Sequence, residues 1–152
     1  MFRGVTELSL DAKGRMAMPA RYRERLLEQC NGTLVVTIDT QEKCLALYPL
    51  PEWEIIQAKL DALPSLNPQT AMMKRLLMGN ATDVEMDGSG RILVPPTLRK
   101  HAGLEKQLVM IGQGKKFELW DGCQWEQRSA IWLEQTAQGM ETLPPELQSL
   151  SL

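Results

Sequence analysis

The sequence of 152 residues has room for one domain of ordinary size, or two very small ones sharing a core. Apolar residues make up 43% and charged residues 24%, the proportions of a globular chain, which excludes collagen-like, low-complexity and fully disordered classes. The net charge of -2 argues at face value against an acidic partner, and apolar runs such as residues 34–36 and 108–111 fall far short of the ~18 residues of a membrane span, so no membrane partner is expected.

The chain opens on Met1-Phe2-Arg3-Gly4, with neither the apolar segment nor the small-residue cleavage site of a secretory leader, so a cytoplasmic location is expected. Thr6, Leu8 and Leu10 then alternate with Glu7 and Ser9, the period of a half-buried strand. Asp11-Ala12-Lys13-Gly14-Arg15 reads as a turn, because the Asp carboxylate can accept turn N–H groups and the Gly can take positive φ. Residues 16–18 form a short apolar strand. Pro19 stops it and suits the first turn of a helix whose inner face carries Tyr22 and Leu26, with Gly32 as the stop signal. Strands over residues 33–38 and 44–48, joined by a polar connector, predict a hairpin. An amphipathic helix with Trp53, Ile56 and Leu60 on one face follows.

Asn67 caps and Pro68 opens a further helix, predicted to turn Met72, Met73, Leu76 and Leu77 inward and to end at Gly79. Thr82, Val84 and Met86 restore the strand alternation, and Asp87-Gly88-Ser89-Gly90-Arg91 is a second turn. A strand over residues 92–94 leads to Pro95, a helix with Leu98 and Ala102 inside, and a stop at Gly103. Residues 107–111 and 117–120 predict another hairpin, connected by residues 112–116. The last amphipathic helix carries Trp125, Ser129, Trp132, Leu133 and Thr136, and the tail with Pro144-Pro145 is expected to be loosely held.

This order of elements occurs twice. Residues 6–23 align with 82–99 at a constant offset, matching Thr6/Thr82, Asp11/Asp87, Gly14/Gly90, Arg15/Arg91, Pro19/Pro95 and Arg23/Arg99. After short gaps Leu34-Val35 matches Leu108-Val109, and Leu47, Trp53, Glu54 and Ala58 match Leu119, Trp125, Glu126 and Ala130. The expected organisation is a first repeat over residues 1–62, a connecting helix over 63–80, a second repeat over 81–142 and a tail over 143–152. Each repeat is too small to be comfortable alone.

Charge follows the same period. Residues 1–25 carry six bases against three acids, a net +3, and residues 26–70 a net -4; residues 71–116 return to +4 and residues 117–152 fall to -5. Such blocks either form solvated surface or divide the molecule into basic and acidic faces, the basic one suited to phosphate. Cys30, Cys44 and Cys123 are odd in number with no C-x-x-C pair, and His101 is the single histidine, so no metal and no cofactor is expected.

The two copies of strand, D-x-x-G-R turn, short apolar strand and Pro-started helix resemble the MraZ family, whose fold belongs with the AbrB-like swapped-hairpin proteins. The resemblance rests on residues 11–23 and 87–99, on Met1-Phe2-Arg3-Gly4, on Leu47-Tyr48-Pro49-Leu50-Pro51-Glu52-Trp53 and on Arg75-Leu76-Leu77. It implies an α+β fold in which two tandem AbrB/MraZ-like units form a swapped-hairpin, double-psi-like β-barrel core with flanking helices and pseudo-two-fold symmetry. It also implies a bacterial, nucleoid-associated transcriptional regulator that represses its own division and cell-wall operon. The partners implied are promoter direct repeats in double-stranded DNA and other copies of the chain, in a ring of about eight subunits.

An Arg four positions after an Asp across a tight turn either bonds back to the carboxylate or projects toward a phosphate or a guanine edge, and both remain open for Arg15 and Arg91. Lys13 lies in the first turn and Arg3 before the first strand, and both join Arg15 and Arg91 as DNA-binding candidates. Ser89 replaces Lys13 in the second turn, which removes one base there. Asp11, Gly14, Asp87 and Gly90 are assigned to shaping the turns, since a carboxylate facing phosphate would repel it. No enzyme is expected: there is no G-x-S-x-G, H-E-x-x-H or G-x-G-x-x-G motif, and no small-molecule substrate is implied. The competing readings are an antitoxin-type DNA-binding module and a non-enzymatic assembly protein of the same fold.

Overall fold

The computed structural model describes residues 1–139 and 143–151, so the expected repeat boundary at residue 142 and the last residue of the tail lie outside the described residues. They fall into two compact units, Met1–Gly122 and Cys123–Leu152. The first holds all the strands. In chain order these are β1 (Phe2–Ser9), β2 (Arg15–Ala17), β3 (Thr33–Ile38), β4 (Leu45–Pro49), β5 (Thr82–Glu85), β6 (Arg91–Leu93), β7 (Gln107–Gly114) and β8 (Phe117–Asp121). Helices α1 (Ala20–Cys30), α2 (Leu50–Asp61), α3 (Pro68–Leu77) and α4 (Pro96–His101) lie between them.

β1 starts four residues ahead of the alternating Thr6 because residues 2–5 find ladder partners on β7, from Phe2 opposite Gly114 to Val5 opposite Ile111. β7 correspondingly runs to Gly114, which shortens the expected connector to Lys115-Lys116. Pro19 and Pro95 occupy the N-cap positions of α1 and α4, where a missing N–H is harmless. α1 ends on Asn31 in the left-handed conformation, and the amides of Asn31 and Gly32 bond the carbonyls of Leu27 and Leu26.

Six strands pair in the order β1-β7-β8-β4-β3-β5, while β2 and β6 pair as a separate ribbon. All pairings are antiparallel. The opening strand of each repeat therefore lies on the hairpin of the other: β1 on β7–β8, and β5 on β3–β4. The registers are two-fold related as well. Thr6 faces Met110 where Thr82 faces Val36, and the pairs Met16/Ile92 and Ala46/Glu118 map onto themselves when the repeats are exchanged. The ladders do not close, since β1 and β5 remain edges and the ribbon pairs only with itself, so the expected continuous barrel is not formed.

Alternation within the ribbon sends Met16 and Ile92 into the core with Met18, Val94, Leu26, Leu98, Leu34, Leu108 and Phe117. Thr37 is buried on the other side of β3, where its hydroxyl donates to the Leu77 carbonyl at 2.7 Å and fastens the end of α3 to the sheet. Asn67 caps the helix as expected, accepting from the Gln69 and Thr70 amides. Met73 and Leu77 are half-buried, but Met72 and Leu76 are exposed, contrary to the expected inward set. On α2, Trp53 is buried and Ile56 and Leu60 are half-buried, the predicted face.

The second unit is helical, with α5 (Gly122–Gln138) entering it and α6 (Pro145–Gln148) forming a turn of helix in the tail expected to be loose. On α5 the rings of Trp125 and Trp132 lie 6.0 Å apart, and the Arg128 guanidinium sits 5.2 Å from the Trp132 ring centre. Leu133 and Thr136 are exposed and Trp125, Ser129 and Trp132 half-buried, so the covered stripe of this helix is narrower than its periodicity predicts. Among the described residues no helix is long and apolar enough to cross a membrane.

If the ribbon is a wall of the core rather than a detachable wing, Ile92→Ala, at a side chain 1% exposed, destabilises the fold by about 2–5 kcal/mol in denaturant unfolding. Its neighbour Leu93, 49% exposed on the opposite face of the same strand, tolerates Ala within about 0.5 kcal/mol. Equal effects would mean that the ribbon carries no core load.

Candidate nucleic-acid interface

The two D-x-x-G-R turns stand at opposite ends of the β2–β6 ribbon, each leading into one of its strands. In the first, Asp11 Oδ1 accepts the amides of Lys13 (2.9 Å) and Arg15 (2.8 Å), and Oδ2 accepts Arg15 Nε at 3.1 Å. The second repeats this: Asp87 Oδ1 takes the amides of Ser89 (2.9 Å) and Arg91 (3.0 Å), and Oδ2 takes Arg91 Nε at 3.3 Å. Both aspartates are thus turn builders. The Arg15 amide holds the Asp11 carboxyl below its ordinary range, assisted by the Lys13 amide and the Arg15 side chain; the Arg91 and Ser89 amides do the same for Asp87.

Arg15 and Arg91 both bond back to the carboxylate, the first of the two alternatives, and do so through only part of the guanidinium. One nitrogen, Nε, bonds back to the carboxylate and fixes the direction of the side chain. The terminal nitrogens have no protein partner among the described residues and remain available as a planar fork. Because Met16 and Ile92 point inward, Arg15, Ala17, Arg91 and Leu93 share the outer face of the ribbon. In register, Arg15 faces Leu93 and Ala17 faces Arg91. The result is two arginines on one diagonal and two apolar side chains on the other.

Gly14 and Gly90 both have positive φ, +84° and +76°, and both are buried. A methyl group at Gly14 would overlap the guanidinium of Arg99, and one at Gly90 the side chain of Arg23. Each turn therefore seats an arginine from the helix of the other repeat. Those arginines are braced at home, Arg23 Nε on the Met18 carbonyl (2.7 Å) and Arg99 Nε on the Val94 carbonyl (2.9 Å). Backbone bonds complete the lock, from the Met18 amide to the Gly90 carbonyl and from the Val94 amide to the Gly14 carbonyl. Arg23 and Arg99 were not among the sequence-predicted residues, although their identity at the same offset as the turns was the signal that marks them.

Lys13 is exposed in the first turn, next to Arg15. Arg3 is not at that turn. It lies near the start of β1, eight residues before Asp11, a separation of roughly 26 Å at the usual strand rise. There it lines a cleft with Met1, Arg21, Tyr22 and Arg25.

Elsewhere, Asp39, Cys44 and Glu118 bring ligand-type atoms within 4.8 Å of one another. Burial, with Glu118 and Asp39 adding to it, pushes the Cys44 thiol up and keeps it protonated. The carboxylates are engaged in local bonds, Asp39 with the Gln41 and Glu42 amides and Glu118 with the Trp120 indole. This chemistry favours a hydrogen-bonded hairpin end over a metal centre.

Comparison with known proteins agrees with the repeat. The profile of a family described as "MraZ protein, putative antitoxin-like" matches residues 1–76 and again residues 77–141. A protein of Halorhodospira halophila named "Transcriptional regulator MraZ" is 59% identical over the full length of both chains. Proteins of the same name from Coxiella burnetii and Salmonella newport are 54% and 51% identical, again over the full length of both.

The depressed carboxyls make the turns acid-sensitive in a defined window. A lowered folded-state pKa stabilises the turn above the ordinary carboxyl pKa of ~3.9 and is lost as pH falls through the depressed value. Amide chemical shifts of Lys13 and Arg15 are therefore expected to hold steady down to about pH 4 and to move only below it. In Asp11→Asn that low-pH movement disappears from the first turn and persists at Ser89 and Arg91. Simultaneous loss from both turns would show that the transition is global unfolding.

Proposed function

This chain belongs to the MraZ family, and we propose that it is a sequence-specific, DNA-binding transcriptional regulator whose β2–β6 ribbon lies against the duplex. The observation that carries this reading is the outer face of the ribbon, with two aspartate-anchored arginine forks flanking Ala17 and Leu93. A two-stranded ribbon has the width the major groove of B-DNA accepts, and a guanidinium fork held in one plane suits the O6 and N7 atoms of guanine. Ala17 and Leu93 supply apolar contact of the kind a thymine methyl takes. Lys13 and Arg3 contribute phosphate contacts, and Arg23 and Arg99 act as positioning residues that hold the turns. The acidic blocks, residues 26–70 and 117–152, account for the net charge of -2 and contain neither turn, and the aspartates within the turns are engaged by their own amides and arginines.

The finer parts of the reading concern assembly and target. The strand exchange, with the ribbon set apart from the six-stranded sheet, is consistent with a swapped-hairpin core of the AbrB type. Exposed Met72 and Leu76 on α3, together with Leu63 and Leu66 before it, are apolar surface that neighbouring copies would cover. The protein accordingly works as a homo-oligomeric ring of about eight subunits, in the cytoplasm on the nucleoid, whose successive ribbons engage successive direct repeats. Binding upstream of its own division and cell-wall operon makes it a repressor of that operon.

Arg15→Ala removes one reading contact from every engaged subunit, about 1–3 kcal/mol each, and abolishes a gel shift on the DNA upstream of its own coding sequence. Arg91→Ala weakens the shift by a similar or smaller amount, and sedimentation of both variants matches the unaltered protein. An undiminished shift with Arg15→Ala rejects the ribbon as the reader, and loss of the oligomer together with the shift reassigns Arg15 to structure.

A further inference from the structure

The second basic feature of the first unit is the cleft of about 330 Å³ lined by Met1, Arg3, Arg21, Tyr22 and Arg25. Its arginines are placed by the structure. Arg21 Nη2 donates to Thr6 Oγ1 at 2.5 Å, and its guanidinium carbon lies 4.8 Å from the centre of the Tyr22 ring. Arg25 Nη1 donates to the Met1 carbonyl at 2.8 Å, with its guanidinium 5.2 Å from the centre of the Phe2 ring. Tyr22 is itself fixed, since its hydroxyl donates to the Arg3 carbonyl and its ring packs edge-on against Phe2. Among the described residues none of the three arginines has a carboxylate partner. The Met1-Phe2-Arg3-Gly4 segment is what makes the cleft. Phe2 sets its ring beneath the Arg25 guanidinium, Arg3 lines the cleft, and Gly4, at φ +104°, lets the Arg21 guanidinium approach to where a methyl group would stand 3.1 Å from Nη2.

The internal repeat supplies a control for whether the fold itself requires such a cluster. Positions 76 residues later hold Gly79, Thr97 and His101 in place of Arg3, Arg21 and Arg25, and β5 begins only at Thr82. The second repeat thus builds its turn with a shorter strand, of four residues, and a shorter helix, of six, and without any of the three arginines. The Arg21 and Arg25 guanidinium groups, each with donors to spare, line this cleft together with Arg3 and suit an anion with several acceptor oxygens, such as a phosphate group.

We propose that the Arg3–Arg21–Arg25 cleft grips a phosphate of the DNA backbone on the duplex whose bases the ribbon reads. This rests on the DNA-binding role proposed for the ribbon and deepens it, adding Arg21 and Arg25 as backbone-contacting residues. The roughly 26 Å between Arg3 and Asp11 is less than the ~34 Å of one duplex turn, so the spacing of the cleft and the first turn fits within one turn of DNA. Contact with phosphate carries no sequence preference. It shows instead in the number of counterions released on binding.

The test is the salt dependence of binding to a random-sequence duplex of about 40 base pairs, followed by fluorescence anisotropy between about 50 and 200 mM salt. The full chain is compared with the double variant Arg21→Gln/Arg25→Gln and with Arg3→Gln, whose side chain has no described partner to lose. Each arginine that meets phosphate is expected to contribute about 1 to the slope of log K against log salt, so the double variant is shallower by about 2 and Arg3→Gln by about 1. Slopes equal to that of the unaltered chain overturn the proposal. A melting-temperature rise with inorganic pyrophosphate that the variants lose, alongside unchanged DNA slopes, also overturns it and assigns the cleft to a free phosphorylated molecule. If the unaltered chain binds no duplex at all, the DNA-binding role falls, and the cleft assignment falls with it. Should the double variant fail to melt cooperatively, Arg3→Gln decides.

Discussion

The opening strand of each repeat completes the sheet of the other, and the rest of the first unit depends on that exchange. With β1 on β7 and β5 on β3, neither repeat extends the sheet of its hairpin with its own opening strand, and the two copies share one core. A chain of this length pays for two small folding units poorly and for one shared core well. The exchange also fixes register. Met16 meets Ile92 and Ala46 meets Glu118 at positions that map onto themselves, and a slip of one residue in either ribbon strand would turn that strand's inward side chain, Met16 or Ile92, toward solvent.

From that constraint the geometry of the ribbon follows. The short strands β2 and β6 lie across the symmetry relation, which places one D-x-x-G-R turn at each end and commits two arginines to the outer face. The turns are then stiffened in two independent ways. Within each, an aspartate gathers two amides and the Nε of its arginine; across the repeats, a buried glycine accepts the arginine of the opposite helix. An exposed ion pair such as Arg15–Asp11 adds little stability by itself. Its value is directional, since holding Nε removes much of the rotamer freedom that the arginine would otherwise lose in the proposed contact with DNA.

Much of this was legible from residue order alone. The turns, the Pro-started helices, the cap at Asn67 and the hairpin strand at residues 33–38 follow from local chemistry, which acts over a few residues and leaves a pattern in the sequence. What escaped depends on contacts distant along the chain. The start of β1 at Phe2 is set by partners on β7, the placing of α3 by contacts such as that of Leu77 with Thr37, and the seating of Arg99 on Gly14 by the exchange of strands. Arg3 illustrates the same limit, because sequence proximity to the turn grouped it with Lys13 and Arg15 while the extended strand between them carries it away to Arg21 and Arg25.

The central claim is that the two turns and the ribbon between them form one two-fold DNA-reading surface. Hydrogen–deuterium exchange of the full chain, with and without duplex DNA from upstream of its own coding sequence, tests it most directly, because peptides covering residues 11–18 and 87–94 report the two halves separately. The account predicts that both segments gain protection together on DNA binding while peptides of α2 and α3 keep their free exchange rates. Protection confined to one turn, or found on α2 and α3 with the ribbon unchanged, would contradict it.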